Sequence, residues 1–499
     1  MKLLNKYIAA GMGLAAMAFM GPGCKRTLNI NTNPNFPTYD QGTPAVVFPA
    51  GVLATTGYVG GDLAIVGGMW SQFFAQSAFA NQYTDVDSYN MPATDGFVDG
   101  PWDNLYTGGL LNYQFCINSA DSTQDWTYYL MATVMKAYTT EVLVDLYDQI
   151  PYTQALEGKD NLQPKFDSGF TVYQALIASL DDAMGKDFTA NTNSTVSSAS
   201  LDPIFSGDID SWIAFANTLK LKMYLRMVNA QPALAQSGIQ ALYTGGATFL
   251  TKDAAFTNFT DNPGKENPMY EQNIRELNTG DNLRASTTFV SWLVQNSDPR
   301  VNSFFGSSNP YSVNQGDYHG ADPTYSKAAV FVETSTDPVE FISTAESYFM
   351  QAEADVRYFG GSKAKGLYEQ GVTAAFSALG LDASSYIAPG GVYAWGAEME
   401  NGAALTPLQQ ILRQKWAAAP YGCHGIESYF DFVRTGFPTQ SPVYSTDPNY
   451  IPGQLVVGKN SVLPAGELPK RFVFPYDERS RNTNTPAQVP MQTPVWWGK

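Results

Sequence analysis

Apolar residues recur along most of this chain at the three- and four-residue steps of a helix, and the recurrence fails over a few long stretches. Met131, Met135, Tyr138, Val142 and Leu146 follow one another at steps of four, three, four and four, which puts them on one helix face. Pro151 closes that helix. "GFTVYQALIASLDDAM" and "DIDSWIAFANTLKLKMYLRM" predict the next pair, and Trp212, Phe215, Leu219 and Met223 line one face of the second. Asp208 and Asp210 at its start and Lys220, Lys222 and Arg226 toward its end complement the helix dipole, an ordinary structural arrangement. Helical spacing resumes in "STAESYFMQAEADVRYFGG", with an apolar stripe of Ala345, Phe349, Ala352, Val356 and Phe359. Gly360 and Gly361 stop it, and "SKAKGLYEQGVTAAFSALG" follows as its partner. "TPLQQILRQKWAAAP" and "HGIESYFDFVRT" predict a further pair.

Between these blocks the periodicity is lost. Residues 81–105 read as loop, with aromatics and amides interleaved, after apolar and Gly-rich helical segments at 46–80. Residues 246–335 are rich in Asn, Gly, Ser, Pro and aromatics, broken by a short helix at about 285–296. Residues 437–499 are Pro-rich and read mostly as coil. Small Ala352 and Ala364 flanked by Tyr348 and Tyr368 match the small-and-aromatic spacing of a tetratricopeptide helix pair. The expected fold is therefore all-α dominated. Tetratricopeptide-like helix-pair repeats occupy about 125–245 and 340–435, with a large loop-rich insertion at about 246–335. An irregular insertion of that size on a helical scaffold commonly carries function.

The amino terminus has a different pattern. Lys2 and Lys6 precede an uncharged run from Ile8 to Met20, and Gly21, Pro22 and Gly23 lead to Cys24. A basic start, a short apolar run and small residues before a cut make a secretory signal. The run falls short of the ~20 apolar residues that span a bilayer, and no second stretch reads as long enough. A cut before Cys24 leaves it as the first mature residue, the position of the lipid-modified cysteine of bacterial lipoproteins; ordinary secretion with a cut elsewhere is the alternative. The expected organisation is a signal peptide at 1–23, a lipidated tether at 24–45 and a single domain at 46–499.

Composition narrows the function. The chain has 29 basic and 46 acidic residues, net −17, or 27 against 46 once Lys2 and Lys6 are removed. That balance argues against a nucleic-acid partner, which needs clustered Lys and Arg. Charged residues make up 15% of the chain and aromatics 13%, and neutral amides and hydroxyls are plentiful, a mixture suited to a neutral ligand. A catalytic triad or imidazole metal site would have to use His319 or His424, the two histidines. With Cys24 acylated, Cys116 and Cys423 are left free to pair or not. No HExxH, GxSxG or P-loop motif is present. Asp145 and Asp148 in "DLYDQIPY", and Arg434, Gly436 and Pro438 in "RTGFP", read as fold-holding turns.

Eight segments stand in an order that resembles the SusD/RagB-type outer-membrane lipoproteins of the Bacteroidetes, in their starch-binding-associated branch. They are "LNINTNPN" after Cys24, "LVDLYDQIPYTQAL" at 143–156, "WIAFANTLKLKMYLRM" at 212–227, "SDPR" at 297–300, "AESYFMQAEADVRYFGG" at 345–361, "ILRQKWAAA" at 411–419, "DFVRTGFP" at 431–438 and "LPKRFVFPYDERSRN" at 468–482. The resemblance implies tetratricopeptide-like units with an irregular region packed over them. It implies no catalysis and no cofactor. The implied role is a lid on a SusC-like TonB-dependent barrel transporter that captures a nutrient, usually an oligosaccharide. Lys25 and Arg26 depart from the acidic residues that follow the cysteine in many surface-exposed members.

A sugar ring is held by stacking its C–H face on an aromatic ring while amides fix its hydroxyls. The loops offer Asn81, Gln82, Tyr83, Tyr89 and Trp102, then Tyr270, Tyr311 and Tyr318, then Tyr393 and Trp395 of "GGVYAWG". Trp395 stands out because glycines flank it. The rival readings are the same scaffold holding peptide or another nutrient, a helical-repeat adaptor without a small ligand, and a carboxylate-pair glycosidase.

Overall fold

The computed structural model describes residues 42–499, of which Pro44–Lys499 form one compact unit. Cys24, the signal segment and most of the tether lie outside the described residues. The longer helices are α1 (Pro44–Val59), α2 (Asp62–Trp70), α3 (Gly96–Asn104), α4 (Leu111–Thr123), α5 (Trp126–Tyr147), α6 (Gly169–Met184), α7 (Ile209–Arg226), α8 (Pro232–Thr244), α9 (Thr287–Gln295), α10 (Thr344–Tyr358), α11 (Ala364–Ser377), α12 (Pro407–Ala418) and α13 (Gly425–Thr435). Their starts are written in the chain. Asp125, Ser168, Ser286 and Ser343 cap α5, α6, α9 and α10 by accepting from a backbone N–H of the first turn. Thr406 and Gln409 form a reciprocal capping box on α12.

Consecutive helices pack as pairs: α4 with α5, α5 with α6, α7 with α8, and α10 with α11. The helical-repeat fold expected from the periodicity is the fold observed. Two readings need correction. Residues 96–123 are a nearly continuous helix, with a π-helical stretch at Leu105–Leu110, where a loop was expected up to 105. Gly96, Gly100 and Pro101 hide it in the sequence, but Val98, Trp102, Leu105 and Leu110 are buried, and their packing outweighs the weak local propensity. Secondly, Pro44–Trp70 is long and apolar enough by length and composition to cross a membrane, contrary to the reading that no further stretch is. Of its apolar window 72% is buried inside the protein, as for a core element. Its α2 crosses α13 at backbone contact: a Cβ on Gly425 would lie 2.3 Å from the Gly68 nitrogen.

The strands are short antiparallel pairs. β1 (Phe74–Gln76) pairs with β5 (Leu283–Ala285), β2 (Gln149–Pro151) with β3 (Phe166–Ser168), and β4 (Ala254–Phe256) with β6 (Val339–Ile342). β5 is also bridged to Val330, and Tyr311 to Ala328, so the central insertion is stitched as extended backbone.

The helical core contains charge. Lys222 contacts Glu141 at 2.7 Å and Glu427 at 2.9 Å. Arg226 contacts Asp145 at 3.1 Å and Glu427 at 2.6 Å. Arg434 contacts Glu353 at 2.6 Å and Asp431 at 2.8 Å and donates to the Leu225 carbonyl. Lys415 reaches Glu346 and Asp431. All of these side chains are at least nine-tenths buried. Lys222 and Arg226, read from the sequence as a structural arrangement toward the end of their helix, are core ion-pair members. Asp145 also accepts from Tyr173 and from the Trp497 indole, so its role is structural. Cys116 and Cys423 are both free thiols.

Candidate functional site

A layer of loops lies over the helical frame, assembled from three distant segments, and carries the open aromatic and amide groups. Asn282, just before β5, organises its first part. Its carbonyl accepts from the Ser77 N–H at 2.9 Å, and its side-chain oxygen accepts from the Gln82 N–H at 3.3 Å. Gln76 accepts from the Tyr83 N–H at 2.7 Å. The 77–83 turn is thus held at its base while its tip projects: Phe79 is 67% exposed, and Asn81 and Gln82 are exposed with uncommitted side-chain amides.

Ala78 packs against the small cluster of Ala75, Val313, Tyr325 and Ala328, which joins this turn to the central insertion. The Tyr325 hydroxyl donates to Asp317 at 2.8 Å and accepts from Asn314 at 2.8 Å. The third segment locks on from the C-terminal tail. Tyr444 donates to the Gln315 carbonyl and Asn460 to the Gly316 carbonyl, each at 2.7 Å. Beneath them Asp87 is fully buried and accepts from the backbone N–H groups of Gln76 and Gly316. Burial pushes its carboxyl up to about 7 against those hydrogen bonds.

On this layer Tyr311 is 52% exposed, with the Lys327 ammonium 5.7 Å from its ring centre. Tyr318 is half-buried, edge-on to His319. Asn81, Gln82, Tyr311 and Tyr318 thus share one loop layer. Phe79 belongs with them and was missed; its signal was a large apolar side chain inside the amide-rich "AFANQY" with no helical partner in register.

Four expected ligand rings are instead core. Tyr83 is edge-on to Phe97, Tyr89 to Trp70, and Trp102 is wrapped by Tyr147 and Phe166. Tyr393 is fully buried between Trp292 and Tyr386, with its hydroxyl donating to Asp298 at 2.5 Å. None has a face to give a ligand, because the hydrophobic gain of burying a ring takes precedence over its position in a loop. Trp395 is half-buried and tilted onto Tyr368 at 5.2 Å; Gln410 holds its loop by accepting from the Gly396 N–H. Tyr270 is half-buried beside Arg275, at 5.9 Å. These two stand on anchors of their own, apart from the Asn282-centred layer. Among the described residues no group of three or more His, Cys, Asp or Glu side chains is arranged to hold a metal.

A frame of paired helices carrying an exposed aromatic–amide loop layer defines a helical-repeat binding scaffold. The chain matches the SusD-like family described as starch-binding and associating with the outer membrane, over residues 67–455, and it belongs to that family. Solved structures agree on the fold. A SusD homologue from Bacteroides uniformis is 21% identical with a TM-score of 0.69, covering 91% of this chain and 99% of that one. A chitin-binding SusD homologue from Flavobacterium johnsoniae is 20% identical with a TM-score of 0.69, over 90% and 98%. A SusD-like protein from Bacteroides thetaiotaomicron is 24% identical with a TM-score of 0.66, over 90% and 98%. No curated protein sequence matches the chain.

Proposed function

We propose that this protein is a non-catalytic lipoprotein of the outer membrane that binds an oligosaccharide and delivers it to a SusC-like TonB-dependent transporter. The observation that supports this most is the exposed set of Phe79, Asn81, Gln82 and Tyr311 on a rigidly tied loop layer. Two rings offer flat apolar faces, and two amides offer both donors and acceptors, which is what a pyranose ring needs on its face and its edge. A shallow wet site binds weakly, which suits a protein that hands its cargo on. The chitin-binding relative supports a carbohydrate over a peptide. Cys24, carrying more than one acyl chain, holds the protein on the membrane, since a single chain does not anchor stably. Membership of a family described as associating with the outer membrane supports the SusC-like partner.

Calorimetry with a panel of neutral oligosaccharides, run beside a turnover assay, tests the ligand reading. Heat on binding without product supports it; product formation, or no heat with any member, contradicts it. Palmitate labelling tests the anchor: a Cys24→Ala variant that labels as well as the parent removes it.

A further inference from the structure

A groove of about 330 Å³ runs between α10, α11 and the end of α12, with no lining residue in common with the loop layer. Ala374, Ala375 and Ala378 form one wall, Tyr421 stands at its rim, and Glu340 closes its floor. A second cavity of about 20 Å³ shares Glu340, Ser343, Ala418 and Tyr421 with it and so forms its inner end. That volume accommodates a single water-sized group.

The inner cavity is lined by polar atoms without partners. His424 Nε2 and Ser428 Oγ accept and donate no hydrogen bond, and both residues are more than nine-tenths buried. His424 Nδ1 has Glu346 Oε2 as its neighbour at 3.4 Å. A proton assigned to Nδ1 on that ground leaves Nε2 a lone pair facing the cavity. Burial holds this imidazole below its ordinary range and so neutral. Glu340 is 4% exposed. Its nearest ionisable partner is His424 Nε2 at 4.0 Å. Asp253 and Glu346 add like charge, and with burial they push the Glu340 carboxyl well up. Lys415 lines the same cavity but is committed to Glu346 and Asp431. Counting Glu340 and the partly exposed Arg357, the connected network holds seven carboxyl groups against five cations. Glu340 is the carboxyl of this network with no Lys or Arg beside it, and a cation placed there would offset the burial and like charge that push it up.

A primary ammonium is water-sized, carries one positive charge and donates three hydrogen bonds. The cavity presents a carboxylate, an imidazole lone pair and a hydroxyl oxygen to receive them. We propose that this groove is a second ligand site that takes the primary ammonium of a small amine, with the head between Glu340, His424 and Ser428 and the body along the alanine wall. The site is independent of the loop layer and stands whatever cargo that layer holds.

The test is calorimetry on the full-length protein with glucosamine, glycylglycine and methylammonium, with N-acetylglucosamine as the amine-blocked control. The expected result is binding of at least one amine and none of the control. Affinity then falls about thirtyfold or more in Glu340→Gln, which removes the carboxylate charge without changing its shape. It falls comparably in Ala378→Trp, which blocks the groove from an exposed position and leaves the core intact. Binding of glucosamine alone identifies an amino sugar as the source, and binding of glycylglycine alone a peptide amine. No heat with any amine, equal heat with N-acetylglucosamine, or undiminished binding in Glu340→Gln overturns the proposal.

Discussion

The helical frame and the loop layer handle polar groups in opposite ways. The frame buries full charges and pairs them: Lys222, Arg226, Lys415 and Arg434 meet Glu and Asp side chains from helices far apart in sequence. The layer buries neutral amides at its base, Gln76, Asn282 and Gln315, around the Asp87 carboxyl, and leaves other amides and rings exposed at its tip. Charges taken out of water hold a unique arrangement only if every partner is present. Neutral amides cost less to bury and less to rehydrate, so a surface built from them can exchange water for sugar hydroxyls. The difference separates a part that must not move from a part that must bind and release.

The largest expected effect comes from breaking the frame. Arg226→Met takes the one cation from Asp145 and one of two from Glu427, and is expected to cost about 3–5 kcal/mol in urea denaturation, or to prevent folding. Gly425→Ala forces a methyl against the α2 backbone at Gly68, an overpacking cost of about 1–3 kcal/mol by the same measurement. By contrast Phe79→Ala and Tyr311→Ala touch exposed rings and should leave stability within about 0.5 kcal/mol. A large loss of stability in either would erase the distinction between the two regions.

The pH dependence of stability reports on buried carboxyls in both regions. Burial holds Glu398, which is buried and accepts from Gln414 of α12, at about 8, and Asp87 at about 7. The folded state therefore binds more protons than the unfolded state above the ordinary carboxylate range, and these groups oppose folding increasingly as pH rises toward 8. Burial also opposes charge on Glu353, but Arg434 and Arg357 outweigh it and hold that carboxyl at about 2. Its contribution is present above its ordinary value of 4.5 and is lost as pH falls through about 2. His424, held low by burial, works against the first trend as a single group. Thermal unfolding is expected to peak in mild acid, near pH 5, with a lower midpoint at pH 8.5. A midpoint that rises steadily from pH 5 to 8.5 would contradict the placement of these carboxylates.

The fold was legible in the chain because helical stripes are local: the three- and four-residue recurrence of Met131 to Leu146 and of Ala345 to Phe359 needs no tertiary knowledge. The ionic core was half visible. Glu141 and Asp145, Lys222 and Arg226, and Glu427 and Asp431 each sit four apart on otherwise apolar helices. That spacing says the two share a face, but not whether the face is dry. The loop layer was least legible. Tyr311 and Tyr83 look alike in sequence, and only the Asn282 anchor and the path of the chain decide that one ring is open and the other closed. Trp395, singled out for its flanking glycines, turned half its ring onto Tyr368 because Gln410 pins the loop.

The smallest expected effect on the molecule is the one that matters most for its role. Each loop ring is expected to contribute about 1 kcal/mol to sugar binding, roughly fivefold in affinity. The decisive measurement is calorimetric titration of a bound oligosaccharide into the Phe79→Ala, Tyr311→Ala double variant, beside its thermal melt. The account predicts affinity lowered by about twentyfold or more with an unchanged melt. Wild-type affinity in the double variant would contradict it.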